Sequence, residues 1–175
     1  MSKHRNSEPR IGIDIGRVIM APVKGGKADT SFLSGGLEKA LKTPPSPGAF
    51  DGVRRLVSAF GGRAWLVSKA GPKVQSKTKQ WLRHWDFYGE TGLPREHLRF
   101  CLQRSQKAMH CRQLKITHFI DDRLDVLEHL RDLVPRLYLF GEQPKLDAAP
   151  DWVTQVGDWR ETKLAVLKDL AQDEP

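Results

Sequence analysis

Short apolar runs that each stop at a polar or turn-forming residue recur along this chain, and they limit its fold more than any other feature. Arg10-Ile11-Gly12-Ile13-Asp14 is the first, closed by Gly16. Arg63-Ala64-Trp65-Leu66-Val67-Ser68 is the second, followed by Lys69-Ala70-Gly71-Pro72, and His97 to Leu102 is the third. Ile116-Thr117-His118-Phe119-Ile120 runs into Asp121-Asp122, and Arg136 to Phe140 follows. Runs this short, apolar throughout and bounded by turn residues, are the pattern of strands buried on both faces of a parallel sheet.

Helical patterns fill the gaps between them. From Pro72 to Trp85, Val74, Thr78, Trp81, Leu82 and Trp85 share one face, while Lys73, Gln75, Lys79, Gln80 and Arg83 surround the other. Pro72 suits the first turn. A helix over 105–114 opens with Ser105 as N-cap, and Leu124, Leu127, Leu130 and Leu133 mark another. A short strand at 152–156 and a helix from Asp158 end the pattern. Strands alternating with helices predict an α/β fold: a three-layer, Rossmann-like parallel sheet with helices on both faces. Trp65, Trp81 and Trp85 are assigned to its core.

The length of 175 residues suits one domain, placed at 10–175 behind a loose tail at 1–9. After the first strand comes a short insertion at 21–48, rich in Gly, Pro, Ser and Lys, with at most one short helix near Leu37 to Leu41. An insertion of that length inside a compact domain reads as a lid. No apolar run is long enough to span a bilayer, and no apolar signal core follows the tail, so a cytoplasmic protein without membrane contact is expected. Cys101 and Cys111 form neither a disulfide framework nor a zinc set. The net charge of +8 favours anionic partners: phosphate esters, nucleotides or nucleic acid. The cluster Lys73, Lys77, Lys79 and Arg83 reads first as a solvated helix face, so a small phosphorylated ligand is preferred to nucleic acid.

In an open parallel sheet, ligands gather beyond the carboxyl ends of the strands. Asp14, Ser68 and the pair Asp121-Asp122 end three strands and therefore share one rim. Carboxylates converging there repel one another unless a cation intervenes. A hard divalent ion such as magnesium suits such oxygen ligands, and Lys107 heads the helix that leads to the Asp121 strand. Each residue also has a plain structural alternative. Asp14 could cap a turn, Asp121 could cap the Leu124 helix, Ser68 could be a loop hydroxyl, and Lys69 a solvated loop lysine. Arg123 follows the acidic pair and balances it.

Over about residues 10 to 141 this arrangement resembles the haloacid dehalogenase-like hydrolase superfamily. Its first motif, an apolar strand ending in Asp-x-Asp-x-Thr or Val, is matched by Asp14-Ile15-Gly16-Arg17-Val18. Ser68 matches the second, Lys107 the third in preference to Lys115, and Asp121-Asp122 the fourth. The resemblance implies a magnesium-dependent phosphomonoesterase in which Asp14 attacks phosphorus and forms an aspartyl-phosphate that water then hydrolyses. It implies magnesium held by Asp14, the Gly16 carbonyl and the Asp121-Asp122 pair, with Ser68, Lys69 and Lys107 on the phosphate.

Gly16 departs from the pattern. In typical phosphatases of this family a second Asp stands there as general acid and base, help typically worth ~10²–10⁴-fold. Asp29 in the insertion is one substitute. Three functions follow: a phosphatase acting on a small phosphate ester or nucleotide, a catalytically impaired relative that keeps phosphate and metal binding, and a protein that binds or dephosphorylates nucleic-acid ends.

Overall fold

The computed structural model describes residues 8–22, 32 and 35–173. Six strands form one sheet: β1 (Ile11–Ile13), β2 (Ala64–Lys69), β3 (Leu98–Cys101), β4 (His118–Asp121), β5 (Arg136–Phe140) and β6 (Thr154–Val156). Their spatial order is β3-β2-β1-β4-β5-β6 and every pairing is parallel. This is the doubly wound α/β sheet that the alternating pattern predicts.

β1 lies between β2 and β4, with Ile13 in register with Leu66 on one side and Ile120 on the other. The chain moves outward from β1 to β3, returns, and moves outward again from β4 to β6. The direction therefore reverses between β1 and β4, and a crevice opens beyond their carboxyl ends.

Strand residues alternate between two apolar layers, as the period of two requires. Ile11, Ile13, Leu66, Ile120 and Tyr138 face one layer, whereas Trp65, Val67, Phe119, Leu137 and Leu139 face the other. The first layer receives α2 (Ala49–Ala59), α3 (Pro72–His84), α4 (Phe87–Thr91) and α7 (Trp159–Asp173). The second receives α5 (Lys107–Leu114) and α6 (Leu124–Leu130).

The crossover helix α2 is absent from the elements read off the sequence. Its buried residues Ala49, Gly52, Val53, Leu56 and Val57 nevertheless recur at helical spacing. The Pro44-Pro45-Ser46-Pro47-Gly48 run ends just before it, and Gly52 within it lowers helix propensity. Gly52 is required by packing, because a Cβ there would sit inside the Trp159 ring. Short α4 is likewise an addition. Ser105 is not a helix cap: it lies within a 3-10 turn, Arg104–Gln106, closed by reciprocal bonds between Gln103 and Gln106, and α5 begins only at Lys107.

Part of the 21–48 segment is fastened to α3. Lys77 Nζ donates to the carbonyls of Phe32 (3.0 Å) and Gly35 (2.6 Å). The indole N–H of Trp81 donates to Thr43 O at 2.8 Å, and that of Trp85 to Leu41 O at 3.1 Å. The short helix expected near Leu37 is present as α1 (Leu37–Leu41). Residues 1–7 of the tail, and 23–31, 33 and 34 of the insertion with Asp29 among them, lie outside the described residues. No described helix is long and apolar enough to cross a membrane.

Gly52→Ala should gain helix propensity, by roughly 1 kcal/mol, yet lose more through collision with the buried, rigid Trp159 ring. A net destabilisation of about 1–3 kcal/mol is expected, read as a lower urea midpoint at unchanged slope.

Candidate active site

The crevice between β1 and β4 is built from the turn that follows each strand. After Ile13 the chain closes one tight turn, in which Ile15 O accepts the N–H groups of Val18 (3.3 Å), Ile19 (2.9 Å) and Met20 (3.1 Å). Arg17 takes a left-handed conformation there, with φ 61°. For a residue with a Cβ this costs about 1–2 kcal/mol, so the turn must be held from outside. Trp159 holds it, its buried indole N–H donating to Val18 O at 2.8 Å. Asp14 therefore projects from a fixed base, its own N–H donating to Ile120 O at 3.0 Å.

Lys107, the first residue of α5, lies under this crevice and is 2% exposed. Its Nζ donates to Asp14 Oδ1 at 2.8 Å and to Asp121 Oδ2 at 2.7 Å. Burial pulls its pKa down, but the two carboxylates outweigh that and hold it above the ordinary lysine value.

Asp121 is fully buried, and its Oδ1 accepts the N–H of Arg123 at 3.0 Å. The aspartate thus closes the turn after β4, while the N-cap position of α6 belongs to Arg123. Asp121 is not that helix's cap.

Oxygens of Asp14, Asp121 and Asp122 lie within 4.8 Å of one another. Against three carboxylates stand Lys107 and the Arg17 guanidinium, whose Nε is 3.5 Å from Asp122 Oδ2. The balance favours negative charge. Burial, and then the Asp14 charge, push the Asp122 carboxyl up to about 6 despite Arg17. The same two causes push Asp121 up against the pull of Lys107. An uncompensated set of hard oxygen donors fits a divalent cation of the magnesium type. Both oxygens of Asp121 already accept N–H donors, whereas Asp14 Oδ2 accepts no hydrogen bond among the described residues. Asp14 and Asp122 are therefore the carboxylates freest to reach a metal, with Asp121 anchoring them from below.

Ser68 is buried at the end of β2, one strand from Asp14, and its hydroxyl has no hydrogen-bond partner among the described residues. Lys69 beside it is exposed, in register with Cys101 of β3. Lys115 ends α5 in a left-handed conformation and is exposed, a helix length from Lys107. Cys101 and Cys111 are free and buried, and burial pushes the Cys111 thiol up to about 12. A Cβ built on Gly16 meets nothing within 4 Å, so packing does not impose the glycine.

Two elements of the site escaped the sequence reading. One is Arg17, which directly follows Gly16 and meets Asp122 only through the fold, so no local pattern marks it. The other is a cavity of about 900 Å³ beside Asp122, lined by Arg17, Ser46, Arg123, Gln143 and Trp159 among others. Ser46 Oγ is buried there without a hydrogen-bond partner among the described residues. The cavity walls come from five separate segments of the chain, which no local pattern reveals.

No family model matches the sequence, and no curated protein matches it. Two solved structures are similar in fold. D,D-heptose 1,7-bisphosphate phosphatase from Burkholderia thailandensis is 14% identical, with a TM-score of 0.59 over 91% of this chain and 98% of that one. A protein described as a haloacid dehalogenase-like hydrolase, from Burkholderia xenovorans LB400, is 12% identical, with a TM-score of 0.60 over 93% of this chain and 98% of that one. The chain thus shares the fold of haloacid dehalogenase-like hydrolases along nearly its whole length.

Replacing Lys107 by Met should leave Asp14 and Asp121 buried without their cation. Breaking a buried pair in this way costs about 3–5 kcal/mol. Urea unfolding at neutral pH reads the loss, and stability within about 1 kcal/mol of the parent would show that the ammonium is not the neutralising group.

Proposed function

We propose that the protein is a divalent-metal-dependent phosphomonoesterase that works through an aspartyl-phosphate on Asp14. The observation that carries this reading is the buried ammonium of Lys107 spanning Asp14 Oδ1 and Asp121 Oδ2 at the switch point of the sheet. It fixes the Asp14 carboxylate by one oxygen and leaves the other directed to the crevice. The likeness to a bisphosphate phosphatase and to a haloacid dehalogenase-like hydrolase supports the same chemistry.

A carboxylate oxygen of Asp14 attacks phosphorus, and the bond to the leaving oxygen breaks with its electron pair passing to that oxygen. Water then attacks the aspartyl-phosphate, the bond to Asp14 breaks, and inorganic phosphate leaves. Lys107 does not transfer a proton in either step, because its two carboxylates keep it charged. It steadies the nucleophile and offsets the charge that gathers on the phosphoryl oxygens. Ser68 presents a hydroxyl to those oxygens from the neighbouring strand, and Lys69 adds a positive charge at the rim. Asp14, Asp122 and the Gly16 carbonyl would hold magnesium, supported by Asp121, and the ion would supply the positive charge that lets nucleophile and phosphate approach.

Position 16, where typical phosphatases of this family carry the general acid, offers no side chain to protonate the leaving group. Substrates that leave without a proton are therefore favoured, and the 900 Å³ cavity beside Asp122 accommodates a small ester or nucleotide. A sugar bisphosphate, named as the substrate of the B. thailandensis protein, falls within that size. Gly16 equally supports a second reading, in which metal and phosphate bind but turnover has been lost.

With magnesium, the protein should release phosphate from an activated aryl phosphate, and Asp14→Asn should abolish release while leaving the fold intact by circular dichroism. Absence of release with every divalent metal tried overturns the catalytic reading. Trifluoroberyllate bound to Asp14 without turnover would then establish the second one.

Gly16→Asp introduces a carboxylate into open space. It should raise turnover of an alkyl phosphate, whose leaving group needs a proton, by roughly 10²-fold, with a smaller gain on the aryl ester. Equal rates before and after the substitution would place the general acid elsewhere.

A further inference from the structure

The positive charge of this protein is confined to one edge of the sheet. Residues 69–115 hold eleven Lys and Arg against three Asp and Glu, so they carry the entire +8. The remaining residues balance at eighteen of each. This stretch is the β3 edge: the end of β2, then α3, α4, β3, the 3-10 turn and α5.

The cations of that edge are also less often paired than the others. Elsewhere Arg17, Lys42, Arg54, Arg63, Arg123, Arg136 and Lys163 each lie within 4.0 Å of a carboxylate, whereas Arg10, Lys39, Arg55, Arg131, Lys145, Arg160 and Lys168 do not among the described residues. Within 69–115, among the described residues, Lys107 alone does so. Lys73, Lys79, Arg83, Arg95, Arg99 and Arg104 make no ion pair with a described residue. Asp86, Glu90 and Glu96 lie in the same stretch but leave most of its cations unpaired, so the edge carries a strong excess of one sign.

Two of these cations lie against aromatic rings of this edge. Lys79 Nζ of α3 lies 6.0 Å from the ring centroid of Phe100 on β3, and the His110 ring of α5 bonds Phe100 O at 3.0 Å. Arg95 lies over the Tyr88 ring at 5.0 Å. Cations interleaved with half-buried aromatic rings are the furniture of a surface for single-stranded nucleic acid, where phosphates meet the charges and bases meet the rings. The stretch begins at Lys69, next to Ser68 on the rim of the candidate active site. A polymer of phosphates that ends in a phosphate satisfies both features, which neither an acidic protein nor a lipid surface does.

We propose that the β3 edge binds a nucleic-acid strand along its backbone. Resting on the phosphatase reading above, we further propose that the terminal phosphate of such a strand is the group delivered to Asp14.

The test uses the full chain and a labelled single-stranded oligodeoxynucleotide without a terminal phosphate, followed by fluorescence anisotropy over a range of salt. Binding should weaken with salt, with a slope of roughly 0.7 per phosphate contacted. Lys79→Glu with Arg83→Glu should weaken it at least tenfold at low salt. The milder pair Lys79→Gln and Arg83→Gln should lower the slope by about 1.4, two contacts' worth. Both variants should melt like the parent and keep its rate on the aryl phosphate. Absence of salt-dependent binding, parental affinity in both variants, or equal binding to polyglutamate or anionic vesicles overturns the surface.

A second arm uses the oligonucleotide with a terminal phosphate. Release should occur, at a kcat below that on the aryl ester because an alkoxide leaves here without a donor at position 16, with KM raised and kcat unchanged in the double variants; no release, or an unmoved KM, overturns delivery to Asp14. Oligonucleotide binding without release from any ester leaves the surface standing and fells the phosphatase reading. Aryl-ester release without oligonucleotide binding does the reverse.

Discussion

One ammonium group, that of Lys107, sets the geometry on which the rest of the site depends. It is held between Asp14 and Asp121, on adjacent strands, at 2.8 and 2.7 Å. Taking an ammonium and two carboxylates out of water costs several kcal/mol per ion, and close mutual contact is what offsets that cost. The arrangement is therefore intolerant of displacement. The bond from Asp14 N–H to Ile120 O fixes the same two strands at the backbone level, so main chain and side chains enforce one spacing. A carboxylate clamped by one oxygen keeps the other aimed, which is the positioning that phosphoryl transfer requires.

Charge is divided sharply across a small distance. The crevice carries three carboxylates against Lys107 and Arg17, and burial together with the Asp14 charge pushes Asp122 up to about 6, while the neighbouring sheet edge carries unpaired cations. The first region would attract a divalent ion and the second a phosphate chain. Because β2 ends between them with Ser68 and Lys69, the two fields meet at the point where a phosphoryl group would lie. Long-range attraction would bring an anion to the edge before the crevice, which repels it until a metal is present.

The strand ends were legible in the sequence because a strand covered on both faces is apolar until it leaves the sheet, and the first polar residue then marks the rim. Asp14, Ser68 and Asp121 could be placed at one edge on that basis. Helix α2 was hidden because Gly52 obeys a contact with Trp159 from the other end of the chain, and no local propensity encodes such a contact. The burial of Lys107 was equally silent, since a lysine heading a helix looks the same whether it meets water or two carboxylates. Arg17, the cavity beside Asp122 and the attachment of residues 35–43 to α3 depend on segments distant in sequence. They became visible only in the assembled fold.

Trp159 reaches back from the last helix to bond Val18 O in the turn below Asp14, and its ring fills the space left by Gly52. Seen from the ribosome, this sets a timetable. The strand that carries Asp14 emerges among the first residues, yet the strand that completes its pairing starts at His118 and the indole that locks its turn arrives later still. With the chain synthesised from the N-terminus at roughly 5–20 residues per second, Asp14 waits roughly 7–30 s for the last of its supports. Until then it lacks the turn that holds it against Lys107 and Asp121.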